Sequence, residues 1–300
     1  MTMSPELHAH AEAWSFPLLI TSALAMVALV YSRGWFRLRS DFPNTISAWR
    51  LATFWTGLCF FWIVVGSPLS ALDHNSLTVH MINHLTLMAL VGPLILIGAP
   101  SLPLSRGLPA RLGRSAHDFF TRNRQMQRLG RLVTHPTFCW VFATATVIGW
   151  HLPAVFRLAV RSHGWHDLEY ACFILAGLLF WLPVAQSATG ACQRPRWSVP
   201  VYLFLATLPC DILSAFLVFC GRVVYPSYLS ANRIFNFSTL QDQQCAGALM
   251  WVFVTFAYLL PAIVITMQIL SPEGAHSQQL GRHVIQPLAS QLSGSQTEVV

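Results

Sequence analysis

His80 and His84 sit four residues apart in "VHMINHLTLMALVGPLILIGAP", a stretch from Val79 to Pro100 that is otherwise apolar enough to cross a membrane. That spacing stacks two imidazoles on one face of a helix. At about 1.5 Å per residue they lie about 5 and 10 Å below the start of the span. A third imidazole, His151 in "VIGWHLPAVF", falls at similar depth, and "RSHGWHDLEYACF" supplies His163, His166, Asp167, Glu169 and Tyr170, of which His166, Glu169 and Tyr170 share a face. Further along, "LPCDILSAF" places Asp211 inside an apolar run, and "LQDQQCAGALMW" opens another with Asp242, Gln243 and, deeper, Met250. Ionisable groups inside apolar spans are costly and face a cavity or a partner. Grouped imidazoles suit copper, zinc or iron, carboxylates such as Glu169 or Asp211 can orient them, and Met250 and Cys245 would tilt a site toward copper(I). We therefore take His80, His84, His151 and His166 as candidate metal ligands. Glu169, Tyr170, Asp211, Asp242, Gln243, Met250 and His163 are candidate supports.

The elements that must position them are helices in a membrane. Of the 300 residues, 54% are hydrophobic and only 10% charged, against about 25% charged in a soluble domain. Apolar windows predict seven spans, near 14–32, 48–68, 77–99, 137–159, 165–186, 198–220 and 243–268, each close to the 20 residues that cross about 30 Å of hydrocarbon. The expected fold is an all-α integral membrane bundle of about seven transmembrane helices over residues 1–270, with a basic cytoplasmic loop at 100–136 and a flexible cytoplasmic tail at 271–300. All 18 basic residues are Arg, and 14 of them fall in the loops after spans 1, 3 and 5 and in the tail. The positive-inside rule then puts the N-terminus outside and the C-terminus in the cytoplasm. The net charge of +7 is an orientation signal and predicts no nucleic-acid partner. The polar residues gather in the outer halves of the spans.

Other features have simpler readings. His8, His10, His74 and His163 taken singly suit an interface, and Asp167 and Asp242 suit helix N-caps. The start, "MTMSPELHAHAEAW", has neither a basic region nor a small-residue cleavage site, so the first span is expected to be retained. Seven Cys without a CxxC pattern read mostly as small apolar packing residues. Cys220 and Cys245, near outer helix ends, remain open between a disulfide, soft ligands and neither. Leu112, Ala116, Phe119, Phe120, Met126 and Leu129 recur near helical spacing among Arg residues, which suits a helix lying on anionic lipid. No P-loop or G-x-G-x-x-G is present, so no nucleotide is expected.

"HMINHLTLMALVGPLILIGAP", "WHDLEYACFILAGLLFWLPV" and "LQDQQCAGALMW" resemble the CtaG family of caa3-type cytochrome c oxidase assembly factors, in order and from about span 2 to span 7. The resemblance implies a non-enzymatic protein of the bacterial inner membrane needed to mature a haem–copper oxidase, with copper handling as its usual proposed role. It puts weight on His80, His84, His166, Glu169, Asp242 and Gln243. One departure stands out: where the family pattern is expected to read H-x-x-E-H, this chain has Tyr170 after Glu169. The expected function is copper binding at an outward-facing His cluster and delivery to an oxidase subunit. Partners would be that subunit, membrane lipid and a periplasmic copper chaperone. Alternatives are a copper permease, a membrane di-iron protein, and a haem protein with His84 and His151 as axial ligands.

Overall fold

A computed structural model describes residues 17–41, 47–109, 111–113, 115, 119, 122–188, 195–229 and 236–271. The described residues contain helices and loops and no strand. In chain order they are α1 (Leu18–Asp41), α2 (Ala48–Gly66), a 3-10 helix (Pro68–Asn75), α3 (Leu77–Ile97), α4 (Ser101–Gly107), α5 (Arg124–Val133), α6 (Pro136–Trp150), α7 (Pro153–Arg161), α8 (His163–Ala188), α9 (Ser198–Phe219), a short 3-10 turn (Pro226–Tyr228) and α10 (Thr239–Leu270). Six of these helices, α1, α2, α3, α8, α9 and α10, are long and apolar enough to cross a membrane, and a seventh span exists if the bent pair α5 and α6 is counted as one. Their outer surface is greasy: Leu19 is 83%, Ile212 72% and Phe219 77% exposed, as expected where lipid tails replace water. Helices suit that setting because each satisfies its own backbone polar groups.

The fourth expected span, 137–159, is not a single helix. α6 ends at Trp150 and α7 starts at Pro153, because proline has no N–H to continue the ladder and disfavours a helical residue before it. His151 therefore lies at a break, not on a span wall. Of the amphipathic helix expected in the basic loop, Met126 and Leu129 fall on α5, which buries no residue and is capped by Asn123 accepting from the backbone of Gln125 and Met126, whereas Ala116 and Phe120 lie outside the described residues. Parts of that loop, the N-terminal His8 and His10, and residues 272–300 of the expected tail lie outside the described residues.

Two apolar cores hold the bundle. The smaller joins α1 and α2 through Ala28, Tyr31, Trp35, Leu38, Phe54 and Leu58, with the Tyr31 hydroxyl donating to the Gly98 carbonyl at 2.7 Å. The larger is shared by α3, α6, α8, α9 and α10. Within α3 the turn Thr86–Val91 widens to a π-helix, a feature common beside functional sites. There the Trp181 indole donates to the Met88 carbonyl at 3.1 Å. α3 and α8 meet backbone to backbone at this level: a Cβ on Gly177 would stand 2.8 Å from the Met88 Cα, and one on Gly92 2.8 Å from the Gly177 carbonyl carbon. Small residues permit such approach between membrane helices.

Candidate metal centre

The polar side chains converge where α3, α8 and α10 begin and where α6 and α9 end, at one end of the bundle. The N-terminus of α3 is fixed first. Its own cap is Ser76, but the main anchor comes from α10, where Asp242 accepts from the Leu77 backbone at 2.7 Å, the Thr78 backbone at 3.2 Å, and the hydroxyls of Ser76 and Thr78 at 2.9 and 2.6 Å. A carboxylate at a helix N-terminus satisfies orphan donors and meets the positive end of the dipole. Asp242 thus caps a neighbouring helix; its own helix starts with a Ser238/Gln241 capping box. Gln243 clamps the end of α9, accepting from the Val224 backbone at 2.7 Å and donating to the carbonyls of Leu217 and Arg222. Both residues position the centre from its edge.

With α3 so fixed, His80 and His84 both point at Glu169 of α8. His80 Nε2 and His84 Nε2 stand 3.5 and 3.4 Å from Glu169 Oε1. Two ligands each about 2.1 Å from one tetrahedral ion are about 3.4 Å apart, so these separations match those of ligands around a single ion. Glu169 is 0% exposed, His80 1% and His84 3%. Neither Glu169 oxygen, neither His84 nitrogen and not His80 Nε2 has a hydrogen-bond partner among the described residues. Buried polar groups are ordinarily paired, and a buried carboxylate without donors costs several kcal/mol.

A second carboxylate, Asp73 of the 3-10 helix, stands behind His80. Its Oδ1 lies 2.7 Å from His80 Nδ1, an ion-pair separation without hydrogen-bond alignment. Its Oδ2 accepts from His166 Nε2 at 2.9 Å and from the Tyr170 hydroxyl. Burial pushes the Asp73 carboxyl up, but the imidazoles of His80 and His166 outweigh it and hold the group well below the usual carboxylate range. His74 is held down by burial and by His166. Asp73 thus stands at ion-pair distance from one nitrogen of the His80 ring while the other, Nε2, faces Glu169; a carboxylate in such a place can orient a histidine. Ligand atoms of Asp73, His80 and His166, and likewise of His80, His84 and Glu169, lie within 4.8 Å of one another.

The sequence candidates separate into three groups. His80, His84 and Glu169 form the centre, and His166 and Tyr170 reach it through Asp73. Tyr170 also accepts from the Asn83 amide at 3.0 Å, so the phenol found in place of a second imidazole serves as a strut. His151 stands close, with its ring 6.4 Å from that of His84, but its Nε2 faces Met81, not Glu169. His163 is exposed, its ring 6.3 Å from that of His74. Asp211 is half-buried on α9 and belongs to neither converging group. Asp167 is exposed within α8 instead of capping it. Cys220 and Cys245 are free thiols. Asp73 and Asn83 were missed as site residues. Asp73 sits in the short 3-10 helix between two spans, seven residues before His80, where only the fold reveals that it turns inward. Asn83, an amide in mid-span, was a readable signal.

The described apolar helices enclose a buried histidine–carboxylate cluster whose groups could hold a metal ion. The family described as cytochrome c oxidase caa3 assembly factor (Caa3_CtaG) matches residues 29–271, and the chain belongs to that family. Relatives include uncharacterized proteins of Mycobacterium bovis and Mycobacterium tuberculosis, each 25% identical over 260 residues, 85% of this chain and 39% of theirs. Another, from Mycobacterium leprae, is 22% identical over 263 residues, 86% of this chain and 39% of its own. The chain thus spans well under half the length of these relatives. No solved structure matches it significantly.

Proposed function

We propose that this protein is a bacterial inner-membrane assembly factor that binds copper at the His80–His84–Glu169 centre and presents it to a haem–copper oxidase subunit. The observation that carries the reading is the convergence of three buried, unpartnered atoms, His80 Nε2, His84 Nε2 and Glu169 Oε1, on one point between α3 and α8. An ion there would satisfy them together. Asp73 would orient His80, and His166 and Tyr170 would hold Asp73. The sidedness of the arginines supports an outward-facing centre, with the N-terminus outside, the loop at 100–136 and the tail in the cytoplasm, and residues 1–270 as one membrane domain. The oxidase subunit, a periplasmic copper donor and the surrounding lipid are the partners this reading requires.

The centre is nearly closed to solvent, so release of a cargo ion requires the 3-10 helix carrying Asp73, or the end of α7 and the start of α8, to open. That helix joins two spans without being one, which makes it the cheaper element to move. The haem alternative loses support because the space beside His84 and His151 is only about 20 Å³, the size of one small particle. A host that depends on its haem–copper oxidase tests the function. With His80→Ala/His84→Ala in place of the wild-type chain, the purified oxidase should lack most of its copper, and added copper salt should restore part of it. An oxidase with its full copper complement in that strain would rule out copper delivery by this centre.

A further inference from the structure

Below the histidine–carboxylate centre, α3, α6, α8, α9 and α10 enclose a cavity of about 20 Å³, enough for one water-sized particle. Its wall includes Met81, Met88, Met250, Cys210, His84 and His151. Methionines often serve simply to fill core gaps, but the proton arrangement here argues for more. His151 Nδ1 lies 2.6 Å from the Val147 carbonyl oxygen, so Nδ1 must carry the proton; a lone pair at that distance from an oxygen would be repulsive. Nε2 of the neutral ring is then an acceptor. It faces Met81 Sδ at 3.4 Å, and a thioether has no proton to give. Protonating both nitrogens would bury a cation, and among the described residues no carboxylate pairs with His151.

Two acceptors thus face each other with no proton between them. An ion about 2.0 Å from a nitrogen and about 2.3 Å from a sulfur, at a tetrahedral angle, separates the two by about 3.5 Å, close to the distance seen. His84, buried with both nitrogens unpartnered, borders this cavity as well as Glu169. The donors are neutral and soft, which suits a monovalent ion of the copper(I) kind; a divalent ion would want the carboxylate that the centre above supplies.

We propose that the cavity is a second metal position, selective for a soft monovalent ion held by His151 Nε2 and Met81 Sδ, with Met250 and Cys210 on its wall and His84 shared with the centre above. Its meaning as a copper site rests on the function proposed above, whereas its existence does not. The test uses the full chain purified in detergent, its accessible thiols alkylated because the described cysteines are free, and two redox-inert probes, silver(I) and zinc(II), with retained metal measured by elemental analysis after desalting. The wild type should keep about one silver per chain, and Glu169→Gln should keep it too. Met81→Leu/Met250→Leu, which conserves volume, should bind silver at least tenfold more weakly while still holding zinc. Silver binding equal to wild type in the methionine variant, or no silver in the wild type, overturns the proposal. If the double variant loses zinc as well, Met81→Leu alone decides: silver lost with zinc retained supports the soft site, and silver retained overturns it. Zinc held no better by the wild type than by Glu169→Gln would count against the upper centre alone, so the two readings fail separately.

Discussion

Asp73 decides how the centre works at the scale of single residues. It gathers His80, His166 and Tyr170 around one buried carboxylate, yet it lies in a short helix between spans and its neighbours in sequence give no hint that it faces inward. The paired histidines and Glu169 were legible because their spacing puts them on helix faces and their charge is costly in an apolar span. Asp73 was not, since a carboxylate beside a span end is ordinarily just solvated. If it orients His80, Asp73→Asn should weaken metal binding by about 10- to 100-fold while the helical content measured by circular dichroism stays unchanged. A competition titration against a chelator reads the affinity. An unchanged affinity would mean that His80 is oriented by its packing alone.

At the scale of elements, the centre depends on contacts between helix ends. Asp242 reads in the sequence as the cap of its own span, and in the structure it caps α3 from α10. The difference is one that only tertiary packing can make, because the sequence does not say which neighbouring helix end a carboxylate near a helix start will meet. Its removal leaves the backbone donors of Leu77 and Thr78 and two hydroxyls without their acceptor. We expect Asp242→Ala to cost about 1–3 kcal/mol of stability and to lower metal retention, since α3 carries both histidines. Thermal unfolding in detergent measures the first. A melting temperature equal to wild type would show that Ser76 suffices as the cap. The broken fourth span has a similar lesson. Pro153 was visible in the sequence, but mean hydropathy continued across it, and the window that found the other spans could not register a break.

For the whole molecule, apolar composition made an all-helical membrane bundle readable, because a membrane admits few architectures, while the count of six or seven spans turns on whether the bent pair α5 and α6 is one span. Which helices touch could not be read; the backbone contact at Gly92 and Gly177, the π turn in α3 and the meeting of α3 with α8 and α10 all come from packing. That packing is what brings His80, His84 and Glu169 to one point, and membership of the caa3 assembly-factor family gives the point a biological setting. The most direct test is the copper content of the full chain purified in detergent, loaded anaerobically with copper(I) and desalted, beside Glu169→Gln and His80→Ala/His84→Ala treated alike, with an absorbance spectrum taken for haem. Copper retained by the wild type, with about one ion per chain fewer in both variants, is the result this account predicts. Folded wild-type protein that keeps no copper, or variants that keep as much, would contradict it and leave the buried cluster as a structural polar network.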